Sequence, residues 1–195
     1  LADKDGADIL LASARETAAV GQRLGVERLN LHGTGLGDGG RPIWQHEHVT
    51  GAMWLQAKDT LHRICDLGEE LGVTFTLENL NLLDHPGCPF GSTEDVLALV
   101  SSVNRPHLRI NLDLYHTQIG EGDLIRWCEK CLPWIGEVQV ADNPGRNEPG
   151  TGEINYAAVS KALHDMGYRG PVGLEAFASG TPEDALDAFR AAFTV

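Results

Sequence analysis

Glu78, Asp113, Gln139 and Glu175 stand 35, 26 and 36 positions apart, and each interval fits one strand, a loop, a helix and a second loop. Three carboxylates and an amide oxygen brought to one place would repel one another unless a cation lay among them. An all-oxygen set of this kind suits a hard divalent ion, Mg²⁺ or Mn²⁺, better than a soft one. Taken singly, each is more readily a strand-end group that is solvated or paired with a nearby Lys or Arg. Matching parity and depth at all four favours a shared ion.

The elements that must position them are legible. Strands read at Arg28 to His32, Val73 to Glu78, Leu108 to Leu114, Gly136 to Ala141 and Pro171 to Ala176. Helical spacing of Leu10, Ala14, Thr17, Val20 and Leu24 stops at Gly25, and a second helix using Trp54, Leu61, Ile64, Cys65 and Leu71 closes at Gly72. Ser92, Asn155 and Thr181 precede further helices as capping residues, the last with Pro182 at the first helical position. Five alternating strand-helix units predict a parallel sheet in a single α/β domain spanning 1–195.

Parity within the strands narrows the fold. Phe75 and Leu77 alternate with Thr74, Thr76 and Glu78; Ile110, Leu112 and Leu114 alternate with Arg109, Asn111 and Asp113. Val138 and Val140 alternate with Glu137 and Gln139, and Leu29 and Leu31 with Arg28, Asn30 and His32. A doubly wound sheet, covered by helices on both faces, is apolar at both parities. One apolar and one polar face instead predict a sheet curled into a TIM (β/α)8-type barrel, with the site at the C-terminal strand ends. His32, Glu78, Asp113, Gln139 and Glu175 are then the last lumen-facing residues. Such a barrel takes roughly 250 residues and eight strands, so the expectation is a barrel lacking its first three strands.

With 15 Lys and Arg against 28 Asp and Glu, the chain of 195 residues carries a formal charge of −13. That balance disfavours nucleic acid, whose affinity depends on basic side chains displacing counterions. No apolar stretch approaches membrane-spanning length and no signal-peptide pattern opens the chain. Four cysteines are too few for a secreted disulfide framework, so a cytoplasmic location is expected, with no membrane partner and with room for a homo-oligomer.

Three segments carry a resemblance: Leu77 to Asn81 (LENLN), Leu112 to Gln118 (LDLYHTQ) and Val138 to Pro144 (VQVADNP), followed by the longer Gly145 to Tyr156 (GRNEPGTGEINY). They resemble the hydroxypyruvate isomerase family of xylose isomerase-like TIM barrels, and the similarity runs from the first helix to Glu175. The resemblance implies that Glu78, Asp113, Gln139 and Glu175 bind the metal and that Glu78 and Glu175 also move the proton. The reaction implied interconverts a small 2-keto-3-hydroxy acid and its aldehyde isomer, as in hydroxypyruvate to tartronate semialdehyde or the 2-oxotetronate type. Arg146 is read as a fork for a substrate carboxylate, with pairing to Glu148 or Glu153 as the alternative. His116 is read as a hydrogen-bonding partner of a substrate oxygen or of a loop carbonyl.

Two rival functions stand beside this one. A ketose 3-epimerase uses the same metal and glutamate pair, although Gln139 replaces the histidine usual in sugar epimerases of the superfamily. A truncated, inactive metal-binding product is the other. Weaker signals are read as structural: Gly35 to Gly40 as a loop and not a dinucleotide fingerprint, because Arg41-Pro42 follows instead of a helix; Cys128 and Cys131 as buried helix residues; His46-Glu47-His48 as a solvated loop. His32 is expected to pack in the lumen, and Arg109 with Glu137 to form an ion pair in the barrel floor.

Overall fold

The computed structural model describes residues 1–194. In chain order the elements are α1 (Lys4–Leu24), β1 (Arg28–Leu31), α2 (Gly51–Leu71), β2 (Thr74–Glu78), α3 (Thr93–Val103), β3 (Leu108–Asp113), α4 (Leu114–Gly120), α5 (Leu124–Cys131), β4 (Ile135–Val140), α6 (Tyr156–Asp165), β5 (Val172–Leu174) and α7 (Pro182–Phe193). All four strand pairs are parallel and the sheet order is β1-β2-β3-β4-β5.

The expected start and stop residues act through hydrogen bonds. The Ser92 hydroxyl accepts from Asp95 N, the Asn155 side chain from Ala158 N and the Thr181 hydroxyl from Asp184 N, satisfying amides that a helix start leaves without partners. Gly25 and Gly72 end α1 and α2 at φ 72° and 68°, the left-handed region that glycine enters without a Cβ penalty.

Phe75, Leu77, Ile110, Leu112, Val138 and Val140 are all buried and belong to one apolar core with Leu61, Ile64, Val96, Leu99 and Val159 of the covering helices. The opposite parity points to a polar interior. There the Thr76 hydroxyl of β2 donates to Glu137 Oε1 of β4 at 3.1 Å, and Asn111 Nδ2 of β3 donates to Asn30 Oδ1 of β1 at 3.3 Å. Each bond skips a strand. Strands two apart in a flat sheet lie roughly 9.5 Å from each other, so these contacts require the sheet to curl about its polar face. The result is a half-barrel with helices outside and a polar lumen.

Two expectations change here. Glu137 bonds Thr76, whereas Arg109 Nη1 curls back onto the carbonyls of Arg105 and Leu108 at 2.8 and 2.7 Å, so the floor ion pair does not form. The register explains it: Glu137 lies beside Asn111, one lumen layer above Arg109. The fifth strand is also shorter than expected, ending at Leu174, although Glu175 N still donates to Val140 O at 3.1 Å and keeps that residue in line with the sheet.

The loop after β1 packs tightly on the loop after β2. A Cβ at Gly33 would lie 1.9 Å from the Pro89 carbonyl oxygen, so the backbone itself would have to move. Gly33→Ala should therefore destabilise the protein by about 1–3 kcal/mol. Urea denaturation checks this; an unchanged midpoint would show that the two loops do not hold each other.

Candidate active site

Glu78 ends β2, Asp113 ends β3, Gln139 is the fifth residue of β4 and Glu175 follows β5. All four lie at the C-terminal rim of the lumen. Side-chain exposure falls from 51% at Glu175 to 4% at Glu78 and 2% at Asp113, so the acidic pair of β2 and β3 forms the deep end of the site.

Asparagines fix these groups. The Asn79 side chain brackets the Asp113 peptide, accepting from Asp113 N at 2.9 Å and donating to Asp113 O at 3.0 Å. Asp113 then caps α4, its Oδ1 accepting from Tyr115 N at 2.8 Å and His116 N at 3.2 Å, which leaves Oδ2 for the lumen. Glu78 Oε2 accepts from Asn30 Nδ2 and lies 2.9 Å from His32 Nε2, leaving Oε1 toward the site. His32 thus contacts a site carboxylate, a closer part than lumen packing. Gln139 Oε1 accepts from Asn111 Nδ2 at 2.7 Å, while Asn111 Oδ1 is buried with no partner.

Glu78, Asp113 and His116 each offer an atom within 4.8 Å of the others. Burial, with the nearby Glu78 carboxylate second, holds Asp113 well above the usual carboxylate range. Two buried carboxylates this close lack enough positive charge, as a cation site would. Glu78, Asp113 and His116 are thus a group that could hold a cation, whereas Gln139 and Glu175 are not part of it. Glu175 lies outside the trio and is joined to it by Arg146, whose Nη2 donates to Asp113 Oδ2 at 3.3 Å and to Glu175 Oε2.

Arg146 is held in this position by its loop and pairs with neither Glu148 nor Glu153. Asp142 gathers the loop from inside, accepting from Asn143 N, Gly150 N and Ile154 N. Glu148 instead accepts from Ser179 N and the Ser179 hydroxyl, tying this loop to the one after β5. The Arg146 guanidinium lies over the Tyr115 ring at 4.8 Å. His116 is buried, and burial, with Arg146 next, pushes its imidazolium down to about 2, so the ring is neutral.

The other candidates stay apart from this chemistry. Cys128 and Cys131 are buried thiols on α5, both pushed up to about 12 by burial. His48 and Glu47 are solvated. Gly35 to Gly40 is a loop closed by a bridge between Leu36 and Pro42, and no helix follows it directly. Sequence reasoning passed over Asn30, Asn79, Asn81, Asn111 and Asp142. Asn30 and Asn111 carry the lumen parity that marked the acids, and Asn79 and Asn81 continue directly from Glu78.

A parallel half-barrel with buried carboxylates at its C-terminal mouth defines a protein of the (β/α) barrel type. The xylose isomerase-like TIM barrel family matches residues 1–193, and the chain belongs to that family. It is 39% identical over 114 residues to the hydroxypyruvate isomerase of Escherichia coli (strain K12), covering 58% of this chain and 44% of that one. It is 36% identical over 104 residues to the 2-oxo-tetronate isomerase of Cupriavidus necator, covering 53% and 40%. The matched stretch thus spans less than half of each relative. A crystal structure of an AP endonuclease, family 2, from Brucella melitensis superposes with a TM-score of 0.81 at 29% identity, covering 98% of this chain and 71% of that one.

Proposed function

We propose that this chain carries the site of a metal-dependent keto-aldo isomerase acting on a small hydroxy-keto acid, hydroxypyruvate or a 2-oxotetronate. The observation that carries this reading is the buried Glu78 and Asp113 carboxylates at the C-terminal end of the curled sheet, with Glu175 linked to Asp113 through Arg146. Similarity to isomerases of both substrate types supports it.

Mg²⁺ or Mn²⁺ held by Glu78, Asp113, Gln139 and Glu175 would polarise the substrate oxygens and spread the charge of an enediolate. One glutamate takes the proton from the hydroxyl-bearing carbon next to the carbonyl, the other delivers a proton to the former carbonyl carbon, and the hydroxyl proton passes to the former carbonyl oxygen. His116, neutral and at the rim, hydrogen-bonds a substrate oxygen. Arg146 holds the substrate carboxylate. The five units belong to one barrel-type domain over 1–195. Four buried or solvent-shielded free thiols support a reducing, cytoplasmic setting.

The direct test is incubation with Mg²⁺ or Mn²⁺ and hydroxypyruvate or 2-oxotetronate, following the aldehyde or keto product. Inactivity on short keto acids together with 3-epimerisation of a ketose would replace this reading with the epimerase one. Metal binding without any turnover would support an inactive metal-binding product.

Arg146→Ala should raise KM for these acids and lower kcat/KM about 10- to 100-fold, the range of a lost charge-assisted bond of about 1.5–3 kcal/mol. Steady-state kinetics against hydroxypyruvate checks this. An unchanged KM would remove Arg146 from the carboxylate subsite.

A further inference from the structure

We infer that Asn81 is a positioning residue: it fixes the ring of His116 as the Nε2–H tautomer, so that His116 presents a hydrogen-bond donor, and no lone pair, to the site. This inference rests on the isomerase reading only for its use in turnover; the tautomer follows from the hydrogen bonds alone.

The Asn81 amide has one allowed orientation. Its Oδ1 lies 3.1 Å from Leu83 N and 2.8 Å from Asp84 N, and backbone amides can only donate. Its Nδ2 therefore faces the other way, 2.9 Å from Asp84 Oδ2 and 2.7 Å from His116 Nδ1. A flipped amide would set nitrogen against two N–H groups and oxygen against a carboxylate. With Nδ2 as donor, His116 Nδ1 must accept.

A neutral imidazole carries one N–H, so it stands on Nε2. That atom faces Asp113 Oδ2 at 3.6 Å and Glu78 Oε1 at 3.9 Å, both acceptors. Arg146 Nη1, a donor, is also near Nε2, at 3.2 Å. One of the two donor contacts on the ring must therefore lack a hydrogen bond. The longer contact, to a half-buried arginine on a loop, yields more readily than one at 2.7 Å between two buried side chains.

Two consequences follow. His116 leaves the trio of potential ligands, because a ring with its proton on Nε2 has no electron pair to give a cation there, and the oxygen donors remain. His116 also cannot take a proton at Nε2. It donates to an oxygen that becomes more negative as the enediolate forms, with the geometry set before substrate arrives.

The test is ¹⁵N NMR of the histidine rings in the full chain loaded with Mg²⁺, the His116 signals being identified by their loss in His116→Gln. A pyrrole-type Nε2 and a pyridine-type Nδ1 are expected. In Asn81→Asp a carboxylate accepts from Nδ1–H, and the pattern should reverse, with kcat on hydroxypyruvate falling more than 10-fold while KM changes little. If Asn81→Asp does not fold, Asn81→Leu serves, with averaged shifts of mixed tautomers expected. A wild-type ring protonated on Nδ1, or a pattern unmoved by either substitution, would overturn the inference. The expected pattern in a protein that turns over no keto acid would leave it standing and remove the isomerase reading instead.

Discussion

Glu78→Gln and Glu175→Gln should each reduce isomerase turnover by about 10²- to 10⁴-fold, the contribution typical of a positioned general acid or base. The two substitutions keep side-chain volume and one oxygen, so they separate chemistry from folding. At Glu78 the retained oxygen can still accept from Asn30 Nδ2 and His32, which hold one side of the carboxylate. At Glu175 half the side chain is in solvent, and only the Arg146 pair is lost. Thermal melts of both variants should therefore lie close to that of the parent protein. The glutamates act in successive proton transfers on either side of one enediolate, so the double variant should be no more active than the weaker single variant, and its loss need not equal the product of the two. Turnover within threefold of the parent in either variant would remove that residue from the acid/base pair. Solvent-deuterium incorporation sharpens the assignment: a variant that exchanges the substrate proton without forming product has lost only the delivering group.

The reach of the sequence is clear from where it stopped. Alternation in β2, β3 and β4 showed a polar lumen and an apolar exterior because a parallel barrel has only those two environments, and the acids at the strand ends came with it. Gly25, Gly72, Ser92, Asn155 and Thr181 marked helix ends through local backbone chemistry that needs no tertiary information. Arg109 and Glu137 are different. Their pairing depended on the β3–β4 register, which shifts between Ile110 and Asn111, and no pattern along the chain encodes that irregularity. The asparagine scaffold was hidden for a related reason. Asn111 reaches Asn30 across β2 only once the sheet has curled, and Asn79 meets the Asp113 peptide across strands 34 residues apart in sequence. Nor did the pattern show that α4 follows β3 without a loop, so that Asp113 both ends a strand and caps a helix.

That double role makes Asp113→Asn the second large expected effect. The amide keeps an oxygen for Tyr115 N and His116 N, so the cap of α4 survives. What is lost is one buried negative charge. In the parent protein burial and the Glu78 carboxylate raise the Asp113 pKa above its unfolded value. The folded state thus binds this proton more tightly than the unfolded chain. Asp113 contributes stability below the ordinary aspartate range, and that contribution is lost as pH rises through the raised value. A divalent ion competes with the proton, so its affinity should increase over the same interval. At a free ion concentration of 100 Kd the parent protein should gain about 2.7 kcal/mol of stability. Asp113→Asn should gain almost none, its metal-free stability should be less sensitive to pH in that window, and turnover should vanish with the ion. Calorimetric titration with Mn²⁺ and denaturant melts at stepped pH measure both quantities. Undiminished Mn²⁺ affinity in Asp113→Asn would remove Asp113 from the ligand set, and a metal-free stability that rises with pH across the interval would contradict the sign of its linkage.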